Sequence, residues 1–254
     1  MKPNLNTAIV LIALLTGTGA LAQTKAPEPD YTLSLNVGGV SDYRFRSISQ
    51  TSFKPALQAG IDFSHKSGFY LGAWGSNINW IKDYVGAADG SLEVDLYGGF
   101  KGEISKDFSF DIGAISYQYP GNTAAKVPGF ANANTTEIYG ALSYSVLTAK
   151  YSYATSNFIA NSNSSGSAYF EIAANFDLGN SFTLTPHVGR QTIPNQSVSG
   201  NYTDYSLTLA KDFGNGLSIS IAAMGTNASD AFYRVGTYDN LGKSTLVVGL
   251  KYSF

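Results

Sequence analysis

From Tyr31 onward, apolar and polar positions alternate with a period of two. Tyr31, Leu33, Leu35 and Val37 share one parity, and Thr32, Ser34, Asn36 and Gly38 share the other. This is the pattern of a strand with one oily face. It continues through Gly39 and Tyr43 to Phe45, so the first strand is read as 31–45, followed by a polar loop over 46–54. The alternation returns at about 55–63, 69–77, 92–102, 108–114, 136–146, 149–153, 169–176, 182–188, 205–213 and 217–223. It ends in Leu246, Val248, Leu250, Tyr252 and Phe254 on one face, against Thr245, Val247, Gly249, Lys251 and Ser253 on the other. Twelve strands are expected.

The connections are sorted by length. Tight turns are read at 65–68, 105–107, 147–148, 177–181 and 215–216, and long loops at 46–54, 78–90, 120–135, 156–167, 191–201 and 226–243. Short and long alternate strictly, which puts every turn at one end of an up-and-down sheet and every long loop at the other. A Greek-key sandwich has no reason to sort its connections this way. Aromatic residues flank the turns on the oily parity: Phe63 with Phe69, Phe100 with Phe108, Phe176 with Phe182, Phe213, and Tyr252 and Phe254 next to Tyr31. Assembled, these make a girdle of the kind that membrane barrels place at the water interface. The turn at Leu147 lacks such a pair, which leaves the ring incomplete. The expected fold is all-β: one up-and-down antiparallel transmembrane β-barrel over 31–254, its seam closed by the last strand against the first, with short periplasmic turns and long extracellular loops.

Composition supports the membrane reading. Charged residues are 13% of the chain, about half the roughly 25% of an ordinary soluble domain. Lys2, the apolar run Ala8–Leu15 and the Ala20-Leu21-Ala22 cleavage pattern before Gln23 read as a signal peptide over 1–22, too short in its apolar part to span a bilayer. A polar tail follows over 23–30. Without the signal peptide 15 basic and 18 acidic residues remain, a net charge of −3, which excludes nucleic acid as a partner drawn by charge. The chain has no Cys, hence no disulfide framework, thiolate metal site or cysteine nucleophile.

If the oily parity meets lipid, the other parity lines the lumen. It carries the acids Asp42, Asp62, Glu93, Asp95, Asp111, Glu137, Glu171 and Asp204, the bases Arg44, Lys101, Lys150 and Lys251, and His187. Polar side chains in these positions suit a water-filled channel for small hydrophilic solutes, and the excess of acids predicts a mild cation preference. The alternative is that acids and bases pair across the interior and fill it. That would leave a non-conducting barrel with a structural or adhesive role. Arg44 and Arg46 stand near the long-loop end, where they could clamp a carboxylate or pair with Asp42 or an acid on a neighbouring strand. Pairing is the simpler expectation. His65 sits in a tight turn, and neither His has a partner at metal-ligand spacing. No catalytic residue, metal or cofactor is expected.

Ser41-Asp42-Tyr43-Arg44-Phe45-Arg46-Ser47-Ile48-Ser49-Gln50-Thr51, then Pro55-Ala56-Leu57-Gln58 and Ser67-Gly68-Phe69-Tyr70 with Trp74, Ser76 and Asn77, resemble the opening of the TorF porin family. Further matching blocks are Tyr97-Gly98-Gly99-Phe100-Lys101-Gly102-Glu103, Tyr117–Gly121, Thr136–Gly140 and Ala149–Tyr153. Ser47 stands where that family suggests Gly, which bears on the local loop conformation. The resemblance implies an outer-membrane barrel of a Gram-negative bacterium, surrounded by lipid and lipopolysaccharide. The terminal Phe254 resembles the signal read by barrel-assembly machinery. The resemblance supplies no catalytic residues.

Overall fold

The computed structural model describes residues 29–234 and 239–254. The expected signal peptide, and the polar tail up to residue 28, lie outside the described residues. The strands are β1 (Tyr31–Val40), β2 (Arg44–Phe45), β3 (Ile48–Ser49), β4 (Ala56–His65), β5 (Phe69–Asn77), β6 (Leu92–Ser105), β7 (Phe108–Gln118) and β8 (Thr135–Tyr144). They continue as β9 (Leu147–Ala154), β10 (Ala168–Ala174), β11 (Phe176–Asp177), β12 (Phe182–Thr192), β13 (Tyr202–Asp212), β14 (Leu217–Thr226) and β15 (Thr245–Ser253). One-turn helices α1 (Trp80–Asp83) and α2 (Asp230–Tyr233) lie in two of the long loops.

Each barrel strand pairs antiparallel with its neighbours, and β10 pairs β12 while β1 pairs β15, so the sheet closes on itself. β10 and β11 are two parts of one span interrupted at Asn175, and β2 and β3 pair only with each other. The wall therefore has twelve spans. Closure leaves no free edge, which is what allows strands to cross a layer that offers no hydrogen bonds. The oily parity faces outward throughout: Leu35, Leu57, Ile61, Leu96, Ile112, Ile138, Val188, Leu207, Ile221 and Leu250 are all exposed on the outer wall.

The structure departs from the periodicity in four places. β1 leaves the wall after Val40, not Phe45, because the Ser41 amide donates to Val248 O and the Ser41 hydroxyl accepts from the Val248 amide, completing the seam there. Asp42 and Arg44 therefore stand on an inward-folded segment and not on the wall. The reversal expected at Leu147 falls at Ser145-Val146, with Ser145 in the left-handed region (φ 54°). This places Tyr144, 65% exposed, beside Phe108 at a centroid distance of 6.5 Å, so an aromatic does stand at that turn. At the seam, Tyr252 opposes Val37 and the Phe254 amide donates to Leu35 O, so β1 projects past the end of β15. Tyr31 accordingly stacks on Phe63 at 5.7 Å instead of neighbouring Tyr252 and Phe254. Lastly, β6 runs on to Ser105, with a register irregularity between Glu103 and Ser105. Of the other girdle residues, Phe69, Phe100, Phe176, Phe182 and Phe213 are exposed on the outer wall and Phe108 is half-buried.

The long loops form a packed cap over one end of the barrel. Ile78, Trp80, Ile81, Val85, Tyr117, Tyr119 and Ala124 form one buried cluster, Ile48, Tyr202, Tyr233 and Leu241 a second, and Ala154, Phe158 and Ile193 a third. Scattered apolar residues in polar loops acquire this role only once the barrel brings the loops together.

Candidate functional site

The segment 41–54 turns into the bore as the β2–β3 hairpin. Its tip is Arg46-Ser47, both with positive φ (48° and 62°), the backbone of a two-residue type I′ turn. At Ser47, the position where Gly was suggested, the conformation is one that Gly adopts without steric cost. The Ser47 hydroxyl donates to Asp204 Oδ2 (3.2 Å), a bond that Gly could not make.

Two buried ion pairs hold the hairpin. At its base, Arg44 Nε donates to Asp42 Oδ2 (2.8 Å) and Arg44 Nη1 to the carbonyls of Ser47 and Lys243, while Asp42 also accepts from Ser49 Oγ (2.6 Å). At its tip, Arg46 Nη2 donates to Glu137 Oε2 and Nη1 to Gln191 Oε1, each at 2.7 Å. Glu137 lies on β8, five strands from β1 in one direction around the wall, and Gln191 on β12, four strands in the other. The hairpin thus reaches across the bore to its far side. The Arg46 guanidinium lies over the rings of Tyr169 (4.2 Å), Phe45 (4.6 Å) and Phe158 (5.5 Å). Burial works against its charge, but Glu137 outweighs burial and raises the guanidinium above its ordinary pKa. Both arginines pair with protein carboxylates, so neither is presented as a free anion clamp.

The remaining lumenal charges form three groups. Beneath the hairpin tip, His187 Nε2 lies 3.0 Å from Glu171 Oε2 and His187 Nδ1 3.6 Å from Asp204 Oδ2, and Tyr169 donates to Asp204 Oδ1 (2.9 Å). With Lys150 and Arg46 these line a chamber of about 290 Å³. Beside the hairpin base, Glu93 and Asp95 are buried together, Tyr43 donates to Glu93 Oε1 (3.2 Å), and Glu93 Oε2 and Asp95 Oδ1 accept no hydrogen bond among the described residues. Burial, then Glu93, holds the Tyr43 phenol well above its usual range. Lower in the bore, Tyr70 donates to Asp111 Oδ1 (2.5 Å), Tyr97 donates to Asp62, and Lys101 and Lys150 lie over Tyr70 (5.5 Å) and Tyr139 (4.3 Å). Lys101, Lys150 and Lys251 form no ion pair among the described residues.

The structure places Asp62, Glu93, Asp95, Lys101, Asp111, Glu137, Lys150, Glu171, His187, Asp204 and Lys251 on wall strands at lumenal parity. Reading the sequence for charge missed the lumenal tyrosines Tyr70, Tyr97, Tyr139 and Tyr169, which bind the acids or the lysines. It also left Arg46 and Gln191 out of the lumen. The tyrosines were visible as aromatic residues on the polar parity. Arg46 was not, because nothing local says that a polar loop folds inward.

Comparison with known proteins adds fold and family. The chain superposes on the KdgM porin solved in complex with disordered oligogalacturonate, with a TM-score of 0.54, 10% identity, and coverage of 87% of this chain and 99% of that one. It superposes on the NanC porin with a TM-score of 0.53, 13% identity, and coverage of 87% and 98%. The barrel is thus the fold of outer-membrane porins. The model of a family described as bacterial protein of unknown function (Gcw_chp) matches residues 24–254. No curated protein matches the chain in sequence.

Proposed function

The chain belongs to the Gcw_chp family, and we propose that it is a passive channel of the Gram-negative outer membrane for small hydrophilic solutes, with the 41–54 hairpin as its constriction. One observation carries the reading: the inner wall is polar along its length and encloses chambers of about 390 and 290 Å³, while the outer wall is apolar. An inner face of this kind has no function in a barrel filled by a core. The Asp42–Arg44 and Arg46–Glu137 pairs each consume one acid and one base. Six lumenal acids then face three lysines, and the channel prefers cations mildly. Tyrosine hydroxyls bonded to Asp62, Asp111 and Asp204 orient these carboxylates without neutralising them.

The purified protein in planar bilayers should give discrete conductance steps, and a salt gradient should give a reversal potential of cation-selective sign. Absence of any step above background overturns the channel reading, and an anion-selective sign overturns the charge argument alone. A second reading is favoured by the hairpin spanning the bore and the packed cap: a closed barrel whose long loops serve a structural or adhesive role. Bilayers distinguish the two, because a closed barrel stays silent in both the wild type and a variant lacking the Arg46 side chain.

A further inference from the structure

Most polar groups in the upper lumen are engaged with one another. The chamber at the seam is different. It lies between β14, β15, β1, β4, β5 and β6, has a volume of about 390 Å³, and falls within the roughly 300–1,000 Å³ of small-molecule sites. Trp74 and Tyr97 supply aromatic faces, and Gln58, Ser218, Ser220 and Lys251 supply polar ends. Among the described residues none of these four polar side chains makes a hydrogen bond or an ion pair, and the Trp74 indole N–H donates to nothing. Tyr97 and Asn36 both donate to Asp62, which fixes the acid on the chamber wall.

The backbone makes room for the indole. Gly60, in register with Trp74, has no side chain where a Cβ would come within 3.3 Å of Trp74 Cδ1 and 2.9 Å of Asn36 Nδ2. The Trp74 ring also meets Tyr43 edge-on at 5.2 Å, so it is held in place from the hairpin side.

We infer that this chamber binds a pyranose ring. A pyranose has an apolar C–H face, which an aromatic ring covers, and a rim of hydroxyls, each both donor and acceptor. Unengaged amide, hydroxyl and ammonium groups around an aromatic platform match that chemistry. A phosphorylated ligand needs a cluster of cations, and this chamber has one lysine balanced by one carboxylate. A purely apolar ligand would strand the free polar ends. The inference deepens the channel reading, on which it rests only for the access of solute to the lumen.

The test is titration of the full mature barrel in detergent, read by tryptophan emission and by calorimetry. The probes are methyl glucopyranoside, glucuronate and sorbitol, the last an open-chain polyol that keeps the C2, C3, C4 and C6 hydroxyls of the glucoside, adds those at C1 and C5, and has no ring face. Saturable binding of at least one pyranose and none of sorbitol is expected. W74A should weaken pyranose binding about tenfold, as loss of a stacking platform does, and K251A should weaken glucuronate more than the methyl glucoside. Q58A, which leaves the aromatic packing intact, should weaken binding by about threefold, the loss of one neutral hydrogen bond. It stands in if W74A fails to fold by heat-modifiable migration. No saturable pyranose binding, equal binding of sorbitol, or indifference to both W74A and Q58A overturns the inference. A barrel that conducts but binds no pyranose refutes this site and leaves the channel standing, whereas one that binds but does not conduct refutes the channel alone.

Discussion

Arg46 Nη2 lies 2.7 Å from Glu137 Oε2, a partner 91 positions away on the far wall of the barrel. Both side chains are nearly inaccessible, at 7% and 1% exposure. Removing one member of such a buried pair costs about 3–5 kcal/mol, because the other is left charged and unpaired. Arg46→Ala should therefore lower the urea midpoint in detergent and, by freeing the hairpin tip, enlarge the single-channel conductance. Adding Glu137→Gln should recover part of the stability while the conductance stays high. The double-mutant cycle and bilayer recordings check both.

Ser47 sets two effects against each other at one residue. Its φ of 62° disfavours a side chain by about 1 kcal/mol, and its hydroxyl bond to Asp204 returns a similar amount. Ser47→Gly should be close to neutral in stability. Ser47→Val, with a β-branched side chain in the left-handed region and no donor for Asp204, should destabilise by about 2–3 kcal/mol. Urea unfolding of the two variants separates them.

The loop cap should loosen at alkaline pH. Burial pushes the Tyr84 phenol up to about 12 from an ordinary 10.0, and burial raises Tyr119 and Tyr233 further. The folded cap thus holds these protons more tightly than the unfolded loops. Its stability is fully present below pH 10 and is lost between 10 and about 12 as Tyr84 titrates, since there the folded state binds more protons. Protease nicking of the long loops, followed against tyrosinate absorbance, should rise across that window and not below it. Tyr84→Phe should reduce the tyrosinate step by one phenol.

The seam depends on few residues. β1 and β15 pair over Asn36–Val40, and the Phe254 amide adds a bond to Leu35 O. Deleting Tyr252–Phe254 removes the Val37 and Asn36 partners together with that bond. We expect the truncated chain to lose its heat-modifiable folded band and to accumulate unassembled, whereas Phe254→Tyr should assemble normally. Cell fractionation with and without heating of the samples checks this, and the same experiment tests whether assembly machinery reads the last strand.

The sequence by itself determined the wall. The period-two alternation specified the number of spans, which face of each points outward, and which wall charges point inward, because strand parity is local and a one-residue slip would reverse every side chain. The alternating connection lengths specified the up-and-down order for the same reason. Parity also explains the errors. The alternation ran on through Tyr43 and Phe45 because the β2–β3 hairpin is extended chain too, and nothing in the alternation says that the chain leaves the wall at Ser41.

What only the tertiary structure decided is how the bore is filled. Arg46 meets Glu137 and Gln191, Ser47 meets Asp204, and Ile48 meets Tyr233 and Leu241, all across spans far apart in the chain. Such pairings depend on barrel closure, which brings opposite walls within one side-chain length of an inward loop. Closure is a property of the whole sheet, and no window of the sequence contains it.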